Sequence, residues 1–126
     1  MGIDLEKLKD LSLAKEVRKG TIIIKANDSE TPPNMYVILK GHVTVNKNFN
    51  QRDAVQLAKL GPGSFVGEMS LFLSEPRSAT VVTVEECVVL EITQSNAFEV
   101  LSNHPEFTYS MMVALCERVR DTSKKV

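Results

Sequence analysis

A glutamate and an arginine, nine residues apart, are the side chains best suited to chemistry. Glu68 directly follows Gly67, and Arg77 directly follows Pro76. The guanidinium of arginine offers a planar set of donors that matches two phosphate oxygens. A carboxylate repels phosphate, but it accepts hydrogen bonds from sugar hydroxyls. Together the two side chains suit a ligand that carries a phosphate and a free hydroxyl, such as a nucleotide.

The residues around this pair supply further donors. Gly67 can adopt a positive φ and lets a ligand approach the backbone. Residues 68–73 are expected to form one or two helical turns, whose start offers free N–H groups and a positive dipole end. Ser78 adds a hydroxyl. A triphosphate is a poor match, because the stretch lacks the lysine of a GxxxxGK[ST] loop and an acidic cluster for magnesium. The alternative is a solvated, weak surface ion pair between Glu68 and Arg77.

The segments on either side of this stretch predict a small β structure. Short runs of β-branched and apolar residues occur at 21–25, 35–40, 42–46, 54–60, 79–84 and 87–92. Polar turn segments separate them at 26–34, 47–53 and 61–63. Many short strands with frequent turns favour an antiparallel sandwich or barrel over βαβ units.

Helices are predicted at both ends of the chain. Residues 3–15 are amphipathic, and residues 94–102 form a short helix with Phe98 and Leu101 on one face. Pro105 begins a longer helix, because the first helical turn does not need the N–H that proline lacks. An apolar stripe on this helix forms either core or a dimer seam, and its members are Phe107, Met111, Leu115 and Val119.

Length and composition restrict the function further. A chain of 126 residues forms one domain, 1–126. Fifteen Lys and Arg against 16 Asp and Glu leave no basic excess, so nucleic acid is not expected as a direct partner. The longest strictly apolar run, residues 111–116, is far shorter than the roughly twenty residues of a membrane span. The charged start is unlike a signal peptide, and a cytoplasmic setting is expected. Cys87 and Cys116 are expected to be free, buried small hydrophobes.

Two motifs in the central stretch resemble a known family. Residues 67–71 read G-E-M-S-L and residues 76–81 read P-R-S-A-T-V. This pattern is similar to the phosphate-binding cassette of the cyclic nucleotide-binding domain family. Gly20, the strand closed by Gly41 and the turn at 61–63 also fall where that family has turns. The resemblance implies a mainly β fold with flanking α: an antiparallel, jelly-roll-like β-roll over 16–92 with the cassette at 61–82, an N-terminal helix over 1–15 and two C-terminal helices over 93–126.

The resemblance also implies roles for individual residues. Glu68 would accept a hydrogen bond from the ribose 2′-hydroxyl, and Arg77 would pair with the cyclic phosphate. Ser78 and the N–H of Ala79 would complete the phosphate shell, with help from the N–H of Gly67 or its neighbours. The tail, residues 91–126, is similar to that of the bacterial transcription-factor members. The implied ligand-binding set is Val66, Gly67, Glu68, Met69, Ser70, Arg77, Ser78, Ala79, Arg118, Thr122 and Ser123.

The roles implied for the three tail residues have less support from the sequence than those of the cassette residues. Thr122 and Ser123 would offer hydroxyls to adenine, although polar residues near a chain end usually form a frayed, solvated terminus. Arg118 would lie near the ligand, although its position alone favours a solvated helix charge.

The sequence also departs from the family pattern. A Gly-Asp turn after the second strand is replaced by Ala26-Asn27-Asp28 and a loop with two prolines. The usual aromatic before Gly67 is Val66, with Phe65 one residue earlier. The helix-turn-helix domain of the transcription-factor members is not part of this sequence.

The predicted function is a cyclic-nucleotide sensor and regulatory domain in signal transduction. It binds cAMP more readily than cGMP and couples binding to movement of the C-terminal helix, with a possible homodimer through that helix and an effector domain or partner protein that the sequence does not name. No catalysis, cofactor or metal is expected, because a metal-dependent β-roll enzyme needs converging ligands and His42 and His104 are far apart. The alternative is a ligand-independent docking or dimerisation module with the same fold.

Overall fold

The structure is a computed structural model that describes residues 13–29 and 31–123. Within these ranges the chain forms short strands followed by helices at its C-terminal side. The strands are β1 (Ala14–Val17), β2 (Ile22–Ile24), β3 (Met35–Lys40), β4 (Val43–Lys47), β5 (Val55–Leu60), β6 (Phe65–Val66), β7 (Thr80–Thr83) and β8 (Cys87–Ile92). The helices are α1 (Glu68–Leu73), α2 (Ala97–Asn103) and α3 (Pro105–Ser123).

The strands form two four-stranded antiparallel sheets. One sheet has the order β1-β8-β3-β6 and the other has the order β2-β7-β4-β5. Val37 of β3 pairs with Leu90 of β8, and Val45 of β4 pairs with Val81 of β7. Consecutive strands β3 and β4 belong to different sheets, and Gly41 makes the turn between them at φ +88. The predicted mainly β fold with flanking helices is confirmed.

The core lies on both faces of β3. Alternate side chains of a strand point to opposite faces of its sheet. Val37 and Leu39 pack in a cluster with Phe107 and Met111 of α3. Ile38 packs between the sheets, in a second cluster that includes Val43, Val89 and Cys87. The sheet that contains β3 therefore has the second sheet on one side and the helices on the other.

The predicted N-terminal helix is wrong at its C-terminal end. Residues 1–12 lie outside the described part of the chain, but Ala14–Val17 form strand β1. This strand pairs antiparallel with β8, with Lys15 opposite Val89. The hydrogen-bonding edge of β8 outweighs the helical periodicity of the local sequence, because a strand beside it satisfies backbone groups that would otherwise stay unpaired.

The burial predicted for one cysteine is also wrong. Cys87 is buried as expected, but Cys116 is exposed on α3. Both cysteines are free, as predicted. On α2, Phe98 is 85 % exposed, whereas Leu101 packs against the core.

Helix α3 is buried at its N-terminal end and exposed at its C-terminal end. Phe107 and Met111 are 2 % and 4 % exposed, and Leu115 is partly buried. Val119 is 67 % exposed. The predicted apolar stripe is therefore core in the first turns of α3 and surface in the last ones.

Candidate functional site

The site begins at the backbone turn between β6 and α1. Gly67 has φ +88, a left-handed conformation that favours glycine, and α1 starts at the next residue as predicted. A Cβ at position 67 would lie 2.7 Å from the Arg77 Nη1 and 2.7 Å from the Asn34 carbonyl oxygen. Both the conformation and the space at this position therefore require glycine.

Arg77 is held beneath this turn by backbone carbonyls. The residue is only 9 % exposed. Nη2 donates hydrogen bonds to the carbonyl oxygens of Asn34 (2.6 Å) and Pro32 (3.4 Å), and Nη1 donates to that of Gly67 (3.3 Å). Burial lowers the pKa of Arg77, but an arginine guanidinium stays protonated. The result is a buried positive charge in a fixed position.

Glu68 pairs with α3 rather than with Arg77. The glutamate is 8 % exposed, and its Oε1 accepts a hydrogen bond from Arg118 Nη1 at 2.5 Å. The half-exposed Arg118 guanidinium also lies 4.9 Å from the centroid of the Phe65 ring, within range of a cation–π contact. The interpretation of Glu68 and Arg77 as a solvated surface pair is wrong, because both residues are buried. Arg118 is also more than a solvated helix charge.

A cavity of about 390 Å³ joins these groups. Ligand pockets have volumes of about 300–1,000 Å³. Nine of the predicted site residues line this cavity: Val66, Gly67, Glu68, Met69, Ser70, Arg77, Ser78, Ala79 and Arg118. Ser70 also closes the end of α1, because its hydroxyl donates to the Glu75 carbonyl at 2.7 Å.

The structure does not bring Thr122, one of the two predicted hydroxyl residues of the tail, to the cavity. Thr122 is exposed near the end of α3 and is not among the residues that line the cavity. Ser123 ends α3, and its side chain lies outside the described part of the chain. Both residues follow Arg118 in the last turns of α3, which do not pack in the core.

Sequence reasoning missed the apolar wall of the cavity. This wall is formed by apolar residues of the strands, namely Ile24, Val45, Ala58, Leu60 and Val81. Val45 and Ala58 are direct partners in the β4–β5 ladder. The alternation of β5 contained a signal, since Ala58 and Leu60 share a face. That signal could not be used without knowing which face of the strand points inward.

The loop that replaces the family's Gly-Asp turn also contacts the site. Asn27 adopts φ +64, a left-handed conformation that asparagine tolerates better than most residues. Its N–H donates to the carbonyl oxygen of Arg77 at 3.0 Å. Further along the same loop, Asn34 accepts from the arginine side chain. The loop therefore contacts Arg77 at both its backbone and its guanidinium.

The described residues show neither a metal-binding cluster nor a membrane-spanning helix. Residues 13–29 and 31–123 contain no group of three or more His, Cys, Asp or Glu that could hold a metal ion. In the same part of the chain, none of the helices is both long and apolar enough to cross a membrane.

The fold and the site agree with a family model. The model of the cyclic nucleotide-binding domain matches residues 14–104. This match includes the strands, the cassette and helix α2, and the chain therefore belongs to the cyclic nucleotide-binding domain family.

Its relatives include regulators of transcription. The cAMP-activated global transcriptional regulator CRP of Haemophilus influenzae is 31% identical over 115 residues, which are 90% of this chain and 50% of that protein. The crystal structure of the Thermus thermophilus catabolite activator protein superposes with a TM-score of 0.73 and 25% identity, over 89% of this chain and 52% of that one. The chain spans about half the length of these relatives.

A further similar protein has separate structures with two different cyclic nucleotides. The EAL enzyme Bd1971 has a cAMP-bound form and a cGMP-bound form, each with a TM-score of 0.61 and 26% identity. The matches cover 87% and 89% of this chain and 29% of each of those chains.

Proposed function

We propose that this chain binds a cyclic mononucleotide in the 390 Å³ cavity and acts as a sensor domain rather than as an enzyme. The observation that carries the proposal is that a buried cation and a buried carboxylate, Arg77 and Glu68, both line one otherwise largely apolar cavity. In this proposal Arg77 binds the cyclic phosphate. The Ser78 hydroxyl and the N–H groups of Ala79 and Gly67 complete the phosphate shell.

The ribose occupies the Glu68 side of the cavity. Arg118 donates a hydrogen bond to Oε1 of Glu68. The other oxygen of the carboxylate can accept a further hydrogen bond. That second oxygen receives the ribose 2′-hydroxyl. Arg118 thus holds the acceptor in place and adds positive charge close to an anionic ligand.

The base lies against the apolar wall, which favours cAMP over cGMP. Val45, Ala58 and Leu60 offer no side-chain hydrogen bonds to a base. Guanine has more polar groups at its edge than adenine, and burial of a polar group without a partner has a free-energy cost. The names of the transcriptional relatives point the same way, since they are described as cAMP-activated. The similar EAL enzyme Bd1971 has both a cAMP-bound and a cGMP-bound form.

Ligand binding moves the end of α3. The last turns of the helix have little packing, and Arg118 joins them to Glu68. A ribose hydroxyl on Glu68 changes the surroundings of Arg118, and movement of the helix towards the cavity brings Thr122 and Ser123 to the base. The ligand shifts the population of helix positions because it binds the closed one more tightly. The output passes to a further segment or to a partner chain.

Calorimetric titration of the purified chain with cAMP and cGMP tests this function. We expect micromolar binding of cAMP, about −8 kcal/mol, and weaker binding of cGMP. Arg77→Ala removes a charge-assisted phosphate contact of roughly 1.5–3 kcal/mol and lowers the affinity by about one to two decades. A folded wild-type chain that binds neither nucleotide would favour the docking module. A chain shortened to Asp121 that keeps full cAMP affinity would eliminate closure by the end of α3.

The outer face of α3 supports a second proposal, a homodimer. Tyr109, Met112, Val113 and Val119 are exposed apolar residues on this helix, whereas Phe107 and Met111 face the core. Two copies that pack through the exposed residues would cover them. Sedimentation of the wild-type chain should give a dimer, and Met112→Glu should give a monomer that remains folded. A monomeric wild type at high concentration would contradict this proposal.

A further inference from the structure

We infer that Asn34 is a positioning residue for Arg77, and that Glu91 and Lys15 hold Asn34 in turn. This inference rests on the proposed function, because it concerns the arginine that binds the phosphate. The four residues form a continuous line of polar contacts, the Arg77 line, from an exposed lysine on β1 to the wall of the cavity.

Asn34 is anchored at three points. The residue is 5 % exposed and directly precedes β3. Its carbonyl oxygen accepts the shortest of the three Arg77 hydrogen bonds, at 2.6 Å. Its side-chain Nδ2 donates to Glu91 Oε1 at 2.5 Å, and its backbone N–H donates to the Pro32 carbonyl at 2.8 Å. The side-chain contact fixes the peptide whose carbonyl holds the arginine.

Glu91 and Lys15 complete the line within one sheet. Glu91 lies on β8 opposite Tyr36 of β3, and it forms an ion pair with Lys15 of β1. The hydrogen bond to Glu91 raises the pKa of Lys15, as expected for a lysine beside a carboxylate. Arg77 lies three residues before β7 of the other sheet. The line therefore joins the two sheets at the cavity.

A fixed guanidinium matters because arginine is otherwise flexible. Its long side chain has rotamer entropy to lose when it binds a ligand. Carbonyls that hold the guanidinium before the ligand arrives remove most of that cost, which is the advantage of a preorganised site. An Asn34 that merely satisfied buried polar groups would stabilise the fold without this effect on the ligand.

A double-mutant cycle separates the two roles. The affinity for cAMP is measured for the wild type, Asn34→Ala, Arg77→Lys and the double variant, together with unfolding in urea. Asn34→Ala should weaken cAMP binding about tenfold, the loss of roughly one hydrogen-bonded anchor. In the Arg77→Lys background the same change should alter the affinity by less than about twofold, because the fork that Asn34 positions is already absent.

Two changes at Glu91 test the next contact, and they are useful if Asn34→Ala does not fold. Glu91→Gln keeps an oxygen that accepts from Asn34 and should lower the affinity by at most about twofold. Glu91→Ala removes the acceptor and should approach the loss seen for Asn34→Ala. The matched control is Asn96→Ala, which removes a side-chain oxygen that accepts from the Thr93 N–H near α2. It should reduce stability without changing cAMP affinity.

A second measurement needs no nucleotide. Nuclear magnetic resonance of the Arg77 guanidinium reports the rate of rotation about its Nε–Cζ bond. We expect hindered rotation in the wild type, Glu91→Gln and Asn96→Ala, and faster rotation in Asn34→Ala and Glu91→Ala. Equal rotation rates in all five proteins would overturn the inference, and so would an Asn34→Ala loss of affinity that is the same in the wild-type and Arg77→Lys backgrounds. A wild type that shows the expected rotation but does not bind cAMP would refute the proposed function and leave the positioning role intact.

Discussion

The two sides of the cavity differ in how firmly the fold holds them. On the cassette side, a left-handed glycine and three backbone carbonyls fix Arg77 in a buried position. On the helix side, the last turns of α3 are exposed, and Arg118 joins them to the cassette through Glu68 and Phe65. Backbone geometry thus fixes the proposed phosphate-binding arginine, and a side-chain contact links the exposed end of α3 to the cassette.

The same difference occurs within α3. Its first turns are part of the core, and its last turns lie on the surface. Segments with few buried apolar contacts open at low free-energy cost, and moving elements are drawn from such segments. The helix is therefore anchored in the core at Phe107 and Met111 and has little core packing beyond them. Substitutions on each side of this division should have effects of very different size.

Truncation of a core side chain on α3 should have the largest effect. Phe107→Ala removes a 2 % exposed ring from the cluster shared with β3 and β8 and should lower the free energy of unfolding by about 3–5 kcal/mol. Val119→Ala, twelve residues along the same helix, should change it by less than about 0.5 kcal/mol. Urea unfolding of both variants measures the difference. Similar losses at the two positions would mean that the end of α3 is packed as tightly as its start.

The second prediction tests the rigid side with two glycines of similar conformation. Gly67 has φ +88 and Gly20 has φ +80, so alanine at either position should cost about 1–2 kcal/mol of stability. A Cβ at position 67 meets Arg77 and the Asn34 carbonyl, whereas one at position 20 meets nothing within 4 Å. Gly67→Ala should therefore also weaken cAMP binding by about one to two decades, the effect of a displaced Arg77.

The control for this prediction is the affinity of Gly20→Ala. It should match the wild type once both proteins are fully folded, because the added methyl group lies in open space. If the two variants lost affinity equally, backbone strain rather than the contact with Arg77 would explain the loss.

Much of the fold was readable from the sequence because its signals are local. The bounds of β3, β8 and α1 were predicted to the residue, since β-branched runs and the glycine before Glu68 mark them clearly. Strand β1 was missed because its pairing with β8 is a long-range contact that local periodicity does not report. Strand β6 has two residues, too few for an alternating pattern.

The site could be predicted only in part, from residue types that lie close together in the sequence. Gly67, Glu68, Arg77 and Ser78 lie close in sequence, so their residue types alone suggested a phosphate and a hydroxyl. Two of the three hydrogen bonds that hold Arg77 join positions 43 and 45 residues apart, and all three are accepted by backbone carbonyl groups, which every residue has. Such contacts leave no trace in residue types. The family resemblance suggested that Arg118 lies near the ligand, but its contact with Glu68, fifty residues away, was not predicted.

The third prediction tests the contact between the two sides. Arg118→Ala removes the hydrogen bond to Glu68 and the contact with Phe65, and should weaken cAMP binding about two- to fivefold, since a half-exposed ion pair contributes roughly 0.5–1 kcal/mol. Hydrogen exchange of the last turns of α3 should also lose its response to cAMP.

Arg120→Ala provides the matched control for Arg118→Ala. Arg120 lies on the same helix, and its ion pairs are with exposed Glu117 and Asp121. Its replacement should leave both the affinity and the exchange response unchanged. Identical behaviour of the two variants would show that the effect comes from helix charge in general rather than from the contact with Glu68.

The smallest predicted effect concerns the buried thiol between the sheets. Burial raises the pKa of the Cys87 thiol above its ordinary value of 9.0. The folded chain therefore keeps the proton to a higher pH than the unfolded chain does. This preference stabilises the fold below pH 9 and is lost as the pH rises through the folded-state pKa.

Unfolding free energies at pH 7, 9 and 10 should reveal this loss through a comparison of two core truncations. Cys87→Ala should be less stable than the wild type at pH 7, and the difference should shrink above pH 9, because the variant has no thiol to deprotonate. Val89→Ala removes a neighbour in the same cluster that does not titrate, so its difference from the wild type should stay constant. A constant difference for Cys87→Ala as well would mean that solvent reaches the thiol in the folded chain, and that the β-roll is less rigid than the contrast with α3 requires.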